Sequence, residues 1–158
     1  MKISSLQEYG LRCLLQLSKN TKDKPMSADE ISKKEGLSTA YVEKILQKLL
    51  KAGFVRSIRG TKGGYVLSKD PTQISIGEIM QKVDGSPISE LCGHFSGTSE
   101  ECTHIAGCSI RPLWTNIYKY IFEVLDRTSL YDLMKEEENT AITLEQKFLR
   151  SFDNMVKS

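Results

Sequence analysis

The amino-acid sequence predicts a mainly α protein with one small β-hairpin, and three observations lead there. Apolar residues recur at spacings of three and four through most of the chain. Two short runs rich in β-formers, Phe54 to Ile58 and Tyr65 to Leu67, flank a glycine-rich basic loop. From Ile110 onward runs a long aromatic-rich stripe. Residues 1–84 then read as a winged helix-turn-helix domain, 85–109 as a cysteine-containing loop, 110–135 as a long dimerisation helix with a short helix after it, and 136–158 as a tail, helical in part. A chain of 158 residues, 39% hydrophobic, has enough apolar surface for a real core without staples.

The first helix spans residues 4–19, with Leu6, Gly10, Cys13, Leu14 and Leu17 on one face. Cys13 on that face acts as a small hydrophobe. The second starts where Ser27 and Glu30 stand in capping-box spacing and stops at Gly36, which suits a left-handed cap. Ser38 caps the third, closed near Gly53, with Val42, Ile45, Leu46, Leu49 and Leu50 on its apolar face. Its opposite face offers Thr39, Ala40, Glu43, Lys44, Gln47 and Lys48.

Two helices joined by a tight turn, the second with a polar and basic outer face, form either a helix-turn-helix or an antiparallel hairpin with no ligand. The hairpin that follows, with Arg56, Arg59, Lys62, Gly63 and Gly64, favours the first reading. A helix fits the major groove of DNA, lysines such as Lys44 and Lys48 lie near phosphates, and a wing arginine senses a narrow A·T-rich minor groove. Gly63 and Gly64 permit backbone angles or a close approach to phosphate that a side chain would forbid.

Charge points the same way. Residues 1–70 carry 14 Lys and Arg against 7 Asp and Glu, a surplus of +7, whereas residues 71–158 carry 8 against 13, a deficit of −5. The first half is the one suited to a polyanion. Ser75 and Glu78 cap a fourth helix with Ile76, Ile79, Met80 and Val83 packing back on the domain. The long helix carries Ile110, Leu113, Trp114, Ile117, Ile121, Val124 and Leu125, with Pro112 tolerated in its first turn, and suits burial between subunits or, alternatively, in the chain's own core. Ser129 opens a short helix, and Leu144, Phe148, Phe152 and Met155 restore a helical pattern in the tail.

Cys92, Cys102 and Cys108 crowd one short segment together with His94 and His104. The start of the chain lacks a signal-peptide core and no stretch approaches a membrane span, so a cytoplasmic, reducing setting is expected and a disulfide framework is not. Paired cysteines two to four residues apart, usual in structural zinc, are missing, although Cys92, His94, Cys102 and His104 keep zinc open. Wider spacing suits iron-sulfur ligation, which needs a fourth ligand. A cluster-free DNA-binding protein, controlled by a bound partner protein or by oxidation between cysteines such as Cys102 and Cys108, is a further alternative. No Cys-x-x-Cys pair, phosphate loop or Ser, His and Asp set argues for an enzyme.

The stretches STAYVEKILQKLLKAGFVRSIRGTKGGYVLSKD and ISIGEIMQKVDG, and a three-cysteine loop before a long helix, resemble the IscR/NsrR (Rrf-two) family of winged-helix transcription regulators over residues 1 to about 135. The resemblance implies a homodimer on a roughly palindromic double-stranded operator, most often as a repressor. It implies Ser38, Thr39, Tyr41, Glu43 and Lys44 in the major groove and Arg59 in the minor groove. It also implies a 2Fe-2S or 4Fe-4S cluster on the loop cysteines. A histidine completes the ligand set in some relatives, but Arg111 occupies that position here and cannot ligate. In others a carboxylate at position eight of the partner subunit does so. The implied set is therefore Cys92, Cys102 and Cys108 with Glu8 of the second subunit, His94 and His104 remaining as rivals.

Overall fold

A computed structural model describes residues 3–20, 24–60, 62–85, 102–104 and 106–156. Cys92 and His94, and most of the 85–109 loop, lie outside the described residues. Helix α1 (Ser5–Lys19) starts at a capping box between Ser4 and Gln7, and α2 (Ala28–Glu35) at one between Ser27 and Glu30. Backbone and side-chain bonds from Ser27 hold the Glu30 carboxyl below its ordinary pKa. Gly36, at φ 66°, ends α2 in the left-handed region. Only Leu37 and Ser38 follow before α3 (Thr39–Lys51).

Strands β1 (Val55–Ile58) and β2 (Gly64–Leu67) form an antiparallel hairpin with Val55 opposite Leu67 and Ile58 opposite Gly64. Met26 covers the other edge of β2, exchanging backbone bonds of 3.0 and 2.9 Å with Tyr65. A 3-10 turn (Pro71–Gln73), α4 (Ile76–Asp84), α5 (Arg111–Asp126), a second 3-10 turn (Leu130–Met134) and α6 (Glu137–Val156) complete the described chain.

The core gathers Cys13 and Leu14 from α1, Ile31 from α2, Ile45, Leu46 and Leu49 from α3, with Phe54, Ile74, Ile79 and Leu130. Gln7 is buried among them and satisfied at both ends: its amide donates to the Met80 carbonyl at 2.9 Å and accepts from the Ser4 backbone. Residues 74–76 pair with 128–130 through Ile76 N–H to Thr128 O and Leu130 N–H to Ile74 O, each 2.8 Å. The segment after α5 is thereby tied to the segment before α4.

One expectation needs correction. Leu50 is exposed, because it lies beyond the edge of the α3 face that the core covers. The short helix expected at Ser129 is present as a 3-10 helix, capped by Ser129 in a capping box with Asp132. The tail is a continuous helix, yet Phe148 and Phe152 face away from the body; the side seated on the chain carries Thr140, Thr143, Leu144 and Lys147. In α5 only Phe122 is buried, stacked on Tyr118, while Ile110, Leu113, Trp114 and Ile117 are 41–59% exposed. The chain's own core takes in the end of the stripe, where Leu125 packs on it and Ile121 and Val124 are half-buried, and leaves the Ile110–Ile117 part exposed.

Lys147 docks α6 by donating to the Arg127 carbonyl at 3.0 Å and to the carboxylate of buried Asp132. Burial opposes the Asp132 charge, but bonds from Lys147 and Ser129 outweigh it and hold the carboxyl below its usual pKa. The unfolded chain therefore takes up this proton first as pH falls. The resulting stability is full above the ordinary carboxylate range and is lost as pH drops through the lowered folded value. In thermal melts Asp132→Asn should lie below wild type at pH 7 and converge with it as pH falls below the ordinary carboxylate range.

Two glycines make opposite predictions for chemical denaturation. At Gly10 a methyl group would sit 3.8 Å from Val83 and 3.9 Å from Leu49, ordinary contact, so Gly10→Ala should stabilise the protein by about 0.5–1 kcal/mol through helix propensity. At Gly77 it would overlap the Asp126 carboxylate and lie 2.9 Å from that residue's backbone nitrogen, so Gly77→Ala should destabilise by about 1–3 kcal/mol.

Candidate nucleic-acid interface

The N-terminal half of α3 and the wing are positioned by contacts the sequence shows only in part. Ser38 caps α3, its hydroxyl accepting from Tyr41 N–H at 3.3 Å. The Thr39 hydroxyl lies 3.1 Å from that of buried Ser32, a link between α2 and α3. The Tyr41 ring meets Tyr9 of α1 edge-on, centroids 6.0 Å apart, so it anchors the helix as well as facing outward. Ala40, Glu43, Lys44, Gln47 and Lys48 are exposed along one face. The first turn of α3 carries no acidic side chain, whereas those of α1, α2 and α4 do. Its positive pole therefore meets no carboxylate of its own first turn.

Arg59 and Lys62 are exposed at the wing tip. The two following glycines have a reason inside the fold. A methyl on Gly63 would clash with the carbonyls of Ile58 and Gly60, and one on Gly64 would sit 2.6 Å from the Met26 carbonyl. Their small size closes the hairpin and seats it on Met26, whether or not a phosphate approaches.

Glu8 stands in the first turn of α1, its side chain 46% exposed, paired with Arg12 at 2.8 Å. The same guanidinium approaches Glu35, the last residue of α2, at 3.9 Å, and Gln16 also donates to Glu35. The Glu8–Arg12 pair is legible as an i, i+4 spacing. The Arg12–Glu35 approach joins separate helices and leaves no signal in the sequence.

Cys102 and Cys108 are half-buried thiols outside any disulfide, in turns just before α5. The His104 carbonyl receives Gly107 N–H at 3.1 Å and Arg111 Nη2 at 3.4 Å, so Arg111 braces this segment. Among the described residues no three potential metal ligands converge. Cys13 is sealed in the core, and burial pushes its thiol up to about 12.

A profile of the Rrf2 family, described as an iron-dependent transcriptional regulator, matches residues 3–136. The chain belongs to the Rrf2 family. It is 30% identical over 154 residues to the transcriptional regulator IscR of Aliivibrio salmonicida, covering 98% of this chain and 89% of that protein. To CymR of Bacillus subtilis it is 38% identical over 133 residues, covering 84% and 89%. The solved structure of CymR, the global cysteine regulator of B. subtilis, superposes with a TM-score of 0.67 at 34% identity, covering 85% of this chain and 96% of that one. The winged-helix architecture is thus shared with relatives that regulate transcription, and among the described residues no helix is long and apolar enough to cross a membrane.

Replacing Lys48 with Ala should weaken binding to unrelated duplexes about equally and lower the slope of log affinity against log salt by about one, as measured by fluorescence anisotropy. Replacing Arg59 with Ala should instead cost about 1–3 kcal/mol at particular base pairs.

Proposed function

We propose that this Rrf2-family regulator is a homodimer that binds a roughly palindromic operator, most simply as a repressor, and that a cluster on Cys92, Cys102 and Cys108 sets its affinity. The observation that carries the sensor reading is the position of Glu8. Its side chain is 46% exposed on α1 and, among the described residues, is paired with Arg12, a surface cation that already has a second carboxylate in reach. Three thiolates and one carboxylate within a dimer suit an iron-sulfur cluster, with the hard carboxylate as the most labile ligand. When bound, the cluster supplies a redox- and ligand-sensitive group; the chain's residues carry its state to the DNA face.

Were Glu8 to serve as a ligand, Arg12 would lose that partner and its charge would be left to Glu35. Glu35 ends α2 immediately before the Gly36 turn, and α3 begins three residues further on. The hand-over thus bears on the turn that sets α3, the kind of two-state bias that couples distant sites.

A second reading is favoured by the likeness to CymR and by two half-buried free thiols six positions apart: oxidation of Cys102 and Cys108 to a disulfide by a peroxide, which is reduced to water as it takes their two electrons and two protons, with no cluster. Anaerobic absorption spectra with iron and sulfide analysis on wild type, Cys92→Ala, Cys102→Ala and Cys108→Ala separate the two. The cluster reading expects a visible chromophore lost in each variant. A colourless protein after iron and sulfide reconstitution sinks it and leaves the thiol switch. Arg12→Ala should keep the chromophore but shrink the difference in operator affinity between cluster-loaded and cluster-free protein; an unchanged difference rules out the hand-over.

A further inference from the structure

We propose that α6 forms part of the contact between two copies of this chain, its apolar side lying against the second copy next to α5. The inference rests on the dimer reading above and adds a helix to it that begins just past the end of the family match at residue 136.

The amphipathicity of α6 is inverted with respect to its own chain. The side seated on the body makes polar contacts: Thr140 donates to the Lys135 carbonyl at 3.3 Å, Lys135 donates to Thr143 at 3.0 Å, and Lys147 bridges Arg127 and Asp132. The side turned outward carries Ile142, Phe148, Leu149 and Phe152, 44–67% exposed. Their separations of seven, four and three residues put them on one face. A helix whose inward face is polar but for Leu144, and which holds two phenylalanines in water, lacks its apolar partner.

Area and charge identify that partner. Five large side chains of the α5 stripe, Tyr120 included, are about half exposed. At 150–250 Å² for each aromatic and somewhat less for each aliphatic side chain, they offer roughly 500 Å². That falls short of the roughly 800 Å² per partner that a specific interface buries. The four α6 residues close the gap, and α6 packs on α5 in the same chain. Residues 137–156 hold Lys147 and Arg150 against Glu137, Glu138, Glu145 and Asp153. An acidic helix is repelled by DNA and lacks the basic flank with which amphipathic helices bind lipid. A self-complementary apolar stripe suits a two-fold interface, where the same patch is used twice.

Sedimentation velocity on the full chain tests this with Leu149→Glu/Phe152→Glu and, separately, Trp114→Glu/Ile117→Glu, far-UV circular dichroism checking the fold. Wild type should be a dimer, the α5 variant a monomer, and the α6 variant should dissociate with a Kd raised about a hundredfold or more, because each change enters the interface twice. Dimerisation of the α6 variant at wild-type affinity beside a monomeric α5 variant overturns the proposal and leaves the dimer reading intact. A monomeric wild type overturns both. Leu149→Gln, which keeps helix propensity, repeats the test at smaller amplitude should the glutamates disturb folding.

Discussion

Burial of one face of α1 is the constraint on which the rest of this molecule depends. That helix packs against α2, α3, α4, β2 and the 3-10 turn at Leu130–Met134. Its inward side carries Cys13, Leu14 and Leu17, with Gln7 bonded to the Met80 carbonyl. Its outward side carries Tyr9, which props Tyr41 of α3, and the Glu8–Arg12 pair that reaches towards α2. A displacement of α1 by even a fraction of a helical turn would have to be shared by the recognition helix and the hairpin, because close-packed interiors transmit strain instead of absorbing it. The helix that would offer a ligand to a cluster is therefore also the helix against which α3 is set.

The local layers of the structure were legible in the sequence because they obey short-range rules. Ser27 with Glu30, Ser75 before Glu78, Gly36 as a left-handed cap and Ser38 before α3 are each decided within four residues. The apolar faces of α1, α3 and α4 followed from periodicity, with Leu50 the exception at the edge of a face. What escaped was of two kinds. Contacts between distant segments, such as Gln7 to Met80, Arg12 to Glu35 and the pairing of 74–76 with 128–130, have no periodic signature. Glycines were legible as glycines but not as to cause. Gly63 and Gly64 suggested room for a phosphate, and the hairpin itself needs that room. For the candidate site, the exposed row on α3 was read correctly as a surface, while Thr39 and Tyr41 proved to brace the scaffold too.

The charge asymmetry of the sequence acquires a spatial meaning in the fold. The basic first half supplies α3 and the wing, and the acidic second half supplies α5, α6 and the turn between them. Within the acidic half, the end of α5 is joined to the start of α4 by the backbone pairing around Ile76 and Thr128 and by the close approach of Gly77 to Asp126, where no side chain fits. The long helix thus enters the winged domain through a junction of backbone bonds and excluded volume, which resists bending more than side-chain packing alone.

The burial of Cys13 decides where oxidants can act. Burial pushes its pKa up to about 12, so that thiol stays protonated at neutral pH, and the surrounding core keeps reagents away. Peroxide, nitric oxide donors and alkylating agents then meet a folded protein whose winged domain is chemically silent towards thiol reagents, since residues 1–84 contain no other cysteine. Reactivity is partitioned by protein architecture: the part that would read DNA cannot be oxidised at sulfur through a cysteine, and sulfur chemistry is confined to the segment that leads into the long helix.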